Sequence, residues 1–212
     1  MSAGLPIVHL VDDDASFLTA VARMLRASGF AVKTFASAAD LLAGMEAGAP
    51  GCAIVDVQMP GMNGLELQAA LEETGEALPV IFLTGCGDIP TSVQAMRRGA
   101  EDFLEKRAPK ETLLDAVRRA RARNERERAA RTRQREIRVR LALLSERERE
   151  VLGHVVRGKL NKQIAADLGI HERTVKLHRT AITSKLGVPS VAELTRLVQE
   201  AGSSGQWGIS NQ

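Results

Sequence analysis

Several apolar stretches of this 212-residue chain end at a polar residue, and Asp56 is one of these polar residues. It directly follows Cys52–Val55, which has the length and composition of a strand buried on both faces of a parallel sheet. A charge there is costly unless other groups compensate it, and ligands of open α/β sheets bind at the carboxyl ends of the strands. We therefore hypothesise that Asp56 does chemistry. The alternative is a turn aspartate that caps the following helix.

Three further apolar runs end on groups that could be partners of Asp56. They are Asp12 and Asp13 after Ile7–Val11, Thr84 at the end of Val80–Thr84, and Lys106 at the end of Asp102–Lys106. Each group alone could be a cap, a turn residue or a surface charge. Because the carboxyl ends of parallel strands share one edge of a sheet, the four strand ends together predict a single site.

The elements that must position these groups follow from the alternation of patterns. Strand and helix signals alternate five times over roughly 120 residues, which predicts an α/β fold with a doubly wound, five-stranded parallel sheet and helices on both faces. Asp14 is expected to cap the first helix, and Ser37 with Asp40 to form a capping box for the second. Gly64–Glu73 is predicted as the helix after Asp56.

A long helix is predicted after the fifth strand. From Pro109 to about Leu144 there is no glycine and no further proline, and strong helix formers dominate. The apolar residues do not form a sustained a/d seam, so a solvated helical rod with Arg–Glu pairs is expected rather than a coiled coil. Its arginines would also allow non-specific binding of nucleic acid.

The charge is divided unevenly along the chain. Residues 1–110 carry 8 basic and 14 acidic side chains, whereas residues 111–212 carry 21 basic and 12 acidic ones. This asymmetry favours an acidic module joined to one that meets a polyanion, although the basic helix contributes much of the excess. No membrane span, signal peptide or metal-binding cysteine spacing is present, so an intracellular, cytoplasmic protein with no membrane partner is expected.

The last third of the sequence predicts four short helices. Ser145 and Glu148 form a capping box at the start of the first, and Asn161–Leu168 is the second, which ends at Gly169. Glu172–Leu186 is the third, and a fourth runs from Pro189 or Ser190 to Ala201. Two helices joined by a tight glycine-containing turn are typical of the helix-turn-helix, whose second helix enters the DNA major groove.

Four motifs resemble the receiver domain of two-component response regulators, over roughly residues 5–122. They are Val-Asp-Asp-Asp (11–14), Val-Asp-Val-Gln-Met-Pro-Gly-Met-Asn-Gly (55–64), Leu-Thr-Gly-Cys-Gly-Asp (83–88) and Ala-Glu-Asp-Phe-Leu-Glu-Lys (100–106). The resemblance implies that a sensor histidine kinase phosphorylates Asp56. It also implies that Asp12, Asp13, Asp56 and the backbone carbonyl of Gln58 hold Mg²⁺ or Mn²⁺, with Asp12 acting partly through water.

The resemblance assigns roles to other residues of the same edge. Lys106 and Thr84 would contact the phosphoryl group, and Phe103 matches the aromatic residue that turns inward when the domain switches. Gln58 and Cys86 lie two residues beyond Asp56 and Thr84, where we predict that they tune the lifetime of the acyl phosphate. One residue departs from the family pattern: Arg107 replaces the proline that usually follows the lysine, so the Lys106–Arg107 bond could be cis or trans and the position of Lys106 is open.

A second resemblance, to the LuxR-type helix-turn-helix, covers about residues 143–201. It rests on Leu-Ser-Glu-Arg-Glu (144–148), Gly-Lys-Leu-Asn-Lys-Gln-Ile-Ala (158–165), Arg-Thr-Val-Lys-Leu-His-Arg (173–179) and Lys-Leu-Gly-Val (185–188). A receiver joined to this module is the layout of the NarL/FixJ response regulators, and the receiver motifs lean towards FixJ. The predicted domains are a receiver at 1–122, a helical linker at 123–142, a DNA-binding domain at 143–201 and a disordered tail at 202–212.

Within the third helix of this module, Val175 and Ile182 are expected to face the core. Lys176, Leu177 and Thr180 match positions that read bases, and the phosphate or solvent contacts are assigned to Lys162, Thr174, Arg179 and Lys185. His171 stands where serine or threonine commonly caps this helix. The last helix resembles the family's dimerisation helix, with Val191, Leu194 and Val198 as the expected contacts.

The leading hypothesis is a transcription regulator switched by phosphorylation of Asp56, which binds double-stranded DNA and forms a homodimer when phosphorylated or DNA-bound. It would not be an enzyme beyond slow self-dephosphorylation. Two alternatives remain open. The first is a DNA-binding regulator whose degenerate receiver acts without phosphorylation, suggested by Arg107. The second is a phosphatase with Asp56 as its nucleophile, although the sequence shows no further acid–base residue for it.

Overall fold

The computed structural model describes residues 5–46, 48–74, 78–85 and 89–201. It divides into two compact units, Met1–Ala129 and Ala130–Gln212, and each is described by itself. Two predictions fall on residues outside those described: the role of Cys86 and the disorder of the tail at 202–212. No helix among the described residues is long and apolar enough to cross a membrane.

The first unit confirms the predicted doubly wound sheet. Its elements are β1 (Ile7–Val11), α1 (Ala15–Ala27), β2 (Ala31–Phe35), α2 (Ala38–Gly44), β3 (Gly51–Asp56), α3 (Gly64–Glu73), β4 (Val80–Thr84), α4 (Ile89–Arg97) and β5 (Asp102–Glu105). All strand pairs are parallel, in the order β2-β1-β3-β4-β5. One core cluster includes Leu25 of α1 and the other Leu67 of α3, so helices cover both faces.

Local capping fixes where the helices of this unit begin. The Asp14 side chain accepts hydrogen bonds from the backbone N–H groups of the first turn of α1, as predicted. Ser37 caps α2 by accepting from the Asp40 N–H, but the Asp40 carboxylate accepts from the Ser37 hydroxyl rather than completing the predicted capping box. A full capping box is present instead at α3, between Asn63 and Glu66.

The long helix α5 (Lys110–Ala142) is present, and its start packs as the apolar residues Leu113, Leu114 and Val117 predict, but the packing extends further along the helix than a solvated rod allows. Near its start, Val117 and Ala120 are buried in the first unit's core, and Asn124 is 3% exposed because its side chain accepts from the Gly51 N–H at 3.0 Å. Near its end, Ile137 and Leu141 belong to the second unit's core. Scattered apolar residues that look too sparse for a coiled coil therefore serve two separate cores.

The second unit confirms the four predicted helices: α6 (Glu146–Val156), α7 (Asn161–Leu168), α8 (Glu172–Leu186) and α9 (Val191–Glu200). The predicted capping box of Ser145 and Glu148 opens α6. Gly169 has a φ of 64°, a left-handed conformation that glycine adopts without strain, and it allows the tight turn between α7 and α8.

The helix α9 corrects the prediction of its dimer contacts. Leu194 and Val198 are 2% and 0% exposed, because they pack into the core of their own unit. An apolar repeat at i and i+4 marks the buried face of a helix, and here the neighbouring helices already cover that face. Val191, which is 38% exposed, is the one of the three expected residues that remains open to a partner.

Candidate functional site

Three carboxylates meet at the carboxyl edge of the sheet, as their spacing predicts. Asp12 follows β1, Asp56 ends β3, and ligand oxygens of Asp12, Asp13 and Asp56 all lie within 4.8 Å of one another. Asp12 and Asp56 are 1% and 6% exposed, whereas Asp13 is exposed. Buried carboxylates this close repel one another, so the arrangement needs a compensating positive charge.

Lys106 supplies that charge. Its Nζ lies 2.7 Å from Oδ2 of Asp12 and 3.0 Å from Oδ2 of Asp56, and 4.6 Å from the centre of the Phe17 ring. The residue lies in the turn after β5 rather than at the predicted end of the strand, and its backbone N–H donates to the Thr84 carbonyl at 2.8 Å. That bond ties the lysine to the end of the neighbouring strand.

The missing proline does not displace the lysine. The Lys106–Arg107 bond is trans, since the described residues contain no cis peptide bond. The Arg107 side chain points to the surface, where Nε lies 2.6 Å from Oε2 of Glu105. Lys106 therefore reaches both carboxylates from an ordinary backbone.

The ionisation of the pair reflects its burial and its contacts. Desolvation by burial raises the pKa of Asp56, and the Asp12 charge adds to this, while the hydrogen bond and charge of Lys106 and the Gln58 backbone N–H oppose it. Burial alone would lower the pKa of Lys106, but its hydrogen bonds to Asp12 and Asp56 outweigh burial, so the pKa is raised. The ammonium group is therefore charged at neutral pH.

The donor set fits a hard divalent cation. Mg²⁺ takes oxygen ligands at about 2.0–2.1 Å in an octahedron, so two of its ligands lie at most roughly 4.2 Å apart. The oxygens of Asp12, Asp13 and Asp56 are close to that spacing. Three carboxylates and one ammonium group have a formal excess of two negative charges, which a divalent cation would neutralise.

The remaining predicted residues surround this cluster. Thr84 ends β4 and is 2% exposed, one residue beyond the Asp56–Leu83 pair of the sheet. Phe103 on β5 is half-buried, with its ring 6.0 Å from that of Phe82. Gln58 is exposed and lies, with Asp13, on the rim of an open depression of about 570 Å³. Of the three carboxylates, Asp13 is the one that borders this depression.

The second unit presents one face of α8 to solvent. Val175 and Ile182 are fully buried, as predicted, while Lys176, Leu177 and Thr180 are exposed. Leu177 is 64% exposed, so its apolar side chain is available for contact. The side chains that sequence reasoning assigned to the reading of bases are therefore among the exposed residues of α8.

The residues expected to contact phosphates differ in their surroundings. Lys162 is exposed and Thr174 is half-buried. Arg179 donates to Oδ1 of Asn161 at 2.7 Å, and Nζ of Lys185 lies 2.7 Å from Oε2 of Glu148. Arg179 and Lys185 therefore connect α8 to α7 and α6, which is a positioning role that sequence reasoning missed.

The buried partner of Lys185 explains that connection. Glu148 is 5% exposed, and its pKa is lowered first by the hydrogen bond from Lys185 and then by the backbone N–H of Ser145. The sequence did contain a signal for this buried glutamate. Glu148 belongs to a capping box and is followed by apolar residues at helical spacing, so it lies in the first turn of a helix that packs against the core. His171 is the N-cap residue of α8 and makes no capping hydrogen bond with its side chain.

Comparison with protein-family models gives two matches that together cover most of the chain. Residues 8–118 match the response regulator receiver domain, and residues 142–198 match the bacterial regulatory proteins of the luxR family. The first match contains the carboxylate cluster and Lys106, and the second contains α6 to α8 and most of α9.

Individual proteins resemble the chain over nearly its whole length. The response regulator protein TodT of Pseudomonas putida is 41% identical over 199 residues, which are 94% of this chain and 88% of TodT. The transcriptional regulatory protein FixJ of Azorhizobium caulinodans is 42% identical and covers 95% of each chain. The solved structure of the response regulator StyR matches with a TM-score of 0.83 and 42% identity, over 93% of this chain and all of StyR.

Proposed function

The chain belongs to the response regulators that join a receiver domain to a LuxR-type DNA-binding domain, and we propose that phosphorylation of Asp56 switches it as a transcription regulator. The observation that carries this proposal is the placement of Lys106, which contacts both Asp12 and Asp56 although Arg107 follows it. This placement argues against a degenerate receiver, because the charge that phosphoryl transfer needs is present beside the acceptor.

Each residue of the cluster has a proposed role in that transfer. An Asp56 carboxylate oxygen attacks the phosphorus of a phosphohistidine on a sensor kinase, and the P–N bond breaks as the histidine imidazole leaves. Lys106 donates to an oxygen of the transferred group as negative charge gathers there. Asp13, Asp56 and the Gln58 carbonyl would bind Mg²⁺, with Asp12 assisting through water. When bound, this ion would neutralise charge on the phosphoryl oxygens. Burial of Asp56 excludes bulk water around the acceptor.

The switch is proposed to act through Thr84 and Phe103. Only the phosphorylated site offers the Thr84 hydroxyl a phosphoryl oxygen as acceptor, and a differential contact of this kind biases one of two conformations. Phe103 is half-buried and can turn further inward when the Thr84 side chain moves.

Gln58 and Cys86 retain their proposed effect on the lifetime of the acyl phosphate. It would be refuted if Gln58→Ala and Cys86→Ala leave the dephosphorylation rate unchanged.

Phosphorylation is proposed to promote a homodimer through α4. This helix exposes Ile89, Val93 and Met96, at 79%, 43% and 47%, at intervals of three to four residues that form one apolar stripe. An uncovered stripe of this kind is typical of an interaction surface. The buried Leu194 and Val198 cannot contribute to such a surface.

DNA recognition is proposed to use the exposed face of α8, in the cytoplasm where the DNA lies. Lys176 can donate to guanine, Leu177 can contact a thymine methyl group, and Thr180 can bond to either type of base edge. Lys162 and Thr174 would contact phosphates.

The predicted limits of 1–122 and 143–201 stand as our proposed domain boundaries.

The test is DNA binding with and without acetyl phosphate and Mg²⁺, after selection of the preferred site from random DNA. We expect phosphorylation to increase the DNA affinity of the wild-type chain and to have no effect on Asp56→Asn. Asp14→Asn is the matched control, because asparagine caps a helix as well as aspartate does, and it should respond as the wild type does. Identical affinity in all arms would refute the switch while leaving DNA binding intact.

A further inference from the structure

A second pocket lies in the first unit, at the opposite end of the sheet from Asp56. It has a volume of about 540 Å³ and is bordered by Leu5, Pro6 and Pro50, just before β1 and β3, and by residues of α5. The six residues of β3 span about 20 Å at 3.3 Å per residue, so this pocket is separate from the carboxylate cluster. Its volume falls within the range of small-molecule sites, roughly 300–1,000 Å³.

The helical side of the pocket is rich in arginine. Arg118, Arg121 and Arg128 line it together with the single acidic residue Glu125. Three guanidinium groups facing one carboxylate leave positive charge, which favours an anion. Arginine also offers paired N–H donors that match the oxygens of a carboxylate or phosphate.

The contacts of the three arginines show which charge is left for a ligand. Arg118 lies 2.5 Å from Oδ1 of Asp115, and an Nη of Arg128 donates to the Gly48 carbonyl. Arg121 stacks its guanidinium 5.4 Å from the centre of the Phe30 ring, and its buried Nε has no hydrogen-bond partner. Across the described parts of the chain, neither Arg121 nor Arg128 forms an ion pair with a carboxylate. Arg128 donates to a backbone carbonyl whereas Arg121 makes no hydrogen bond there, so Arg121 has the most donor capacity left for a ligand.

The other walls of the pocket are mainly apolar, and the Asn124 amide oxygen among them already accepts a hydrogen bond. Leu5 is 80% exposed, and Pro6, Pro50 and Ala122 add hydrocarbon surface without donors. The amide oxygen of Asn124 is occupied by the Gly51 N–H. A ligand that fits these walls therefore has a compact apolar body and one anionic group, since a fully polar anion would leave the hydrocarbon surface in water.

We propose that this pocket binds a small organic anion, with its carboxylate or phosphate on Arg121 and its apolar body against Leu5, Pro6 and Pro50. The ligand joins the starts of β1 and β3 to α5, so its binding stabilises the first unit against unfolding. The site does not depend on phosphorylation of Asp56, and its failure or success is independent of the proposed switch.

The experiment titrates the full chain with benzoate, benzyl alcohol and inorganic phosphate at constant ionic strength, by calorimetry and by thermal unfolding. Benzyl alcohol has the apolar body without the charge, and phosphate has the charge without the body. We expect saturable binding of benzoate in a 1:1 ratio, with weaker binding of the other two. Equal binding of benzyl alcohol would overturn the anionic requirement, and tighter binding of phosphate would overturn the apolar one.

Three variants place the binding at this pocket. Arg121→Gln should weaken benzoate about tenfold or more, as expected for one charge-assisted hydrogen-bonding group. Ala122→Leu should block binding by filling the pocket while it keeps a good helix former, and Arg126→Gln is the matched control on an exposed part of the same helix. The proposal is overturned if Arg121→Gln and Ala122→Leu both bind benzoate as the wild type and the Arg126→Gln control do, or if benzoate does not saturate below about 10 mM.

Discussion

Replacing Lys106 with methionine should destabilise the first unit even before any phosphorylation. Lys106 contacts Asp12 and Asp56, which are 1% and 6% exposed, so its removal leaves two buried carboxylates beside each other without a positive partner. Methionine keeps most of the side-chain volume, and therefore the change tests the charge rather than the packing. The expected result is a lower free energy of unfolding at neutral pH in the absence of divalent cations.

The size of the effect follows from the number and exposure of the contacts. Breaking a buried ion pair by removing one partner costs about 3–5 kcal/mol, and a hydrogen bond to a charged group contributes about 1.5–3 kcal/mol. The Lys106 side chain is 23% exposed, so water screens part of the interaction and the loss falls below the range for a fully buried pair, within the range for a hydrogen bond to a charged group. We expect a loss of about 2 kcal/mol. In an Asp56→Asn background the loss should fall to about 1 kcal/mol, because one of the two carboxylates is already neutral.

The assay is urea unfolding of the full chain by circular dichroism, with EDTA and again with Mg²⁺. The transition of the first unit is the one that Mg²⁺ shifts, and the variant should regain part of its lost stability with the cation. Lys110→Met is the control, since Lys110 is exposed and its replacement should change stability by less than about 0.5 kcal/mol. The reasoning is wrong if Lys106→Met costs no more than this control, or if Asp56→Asn does not reduce the cost.

Four further predictions test other parts of the molecule. Lys176→Ala should cost about 1–3 kcal/mol on the preferred DNA site and little on random DNA, whereas Lys162→Ala should weaken both alike in gel-shift titrations. Gly64→Ala should destabilise the first unit by about 1–3 kcal/mol in urea unfolding, because an added Cβ would lie 2.4 Å from the Asp56 carbonyl oxygen. The pKa of Glu148 is lowered in the folded state, so its contribution to stability is present above its ordinary pKa and is lost as pH falls through its folded-state pKa. The free energy of unfolding measured from pH 6 to 3 should therefore decrease in the wild type by an amount that Glu148→Gln does not show. Burial lowers the pKa of His9, so its imidazole signal in NMR should titrate at a lower pH than that of an ordinary histidine. Because the unfolded chain then binds the proton more readily, the free energy of unfolding should decrease as pH falls below the ordinary histidine pKa.

The fold followed from local patterns because those patterns carry its physical causes. Apolar runs of strand length, glycine stops and capping residues placed the strands and helices close to their observed limits, and the strand ends brought Asp56 and its partners together. The predicted fifth strand was one residue too long, because it included Lys106 and the apolar pattern does not show where backbone pairing ends. The missed contacts are those between distant residues, such as Asn124 with Gly51 and Lys185 with Glu148. A polar residue in a helical sequence looks solvated until the surface that it packs against is known.

The charge balance at the sheet edge indicates that the cluster is kept for function rather than for stability. Replacing buried charged groups with well-packed apolar side chains is often neutral or stabilising, so three carboxylates with one ammonium group have no structural advantage. Asp12 and Asp56 at least share Lys106, but Asp13 is exposed and adds repulsion to both. Asp14, its neighbour, has a complete structural explanation as the cap of α1. Asp13 has none among the residues that the structure describes, and it is therefore the residue that most clearly points to a cation as a partner of the site.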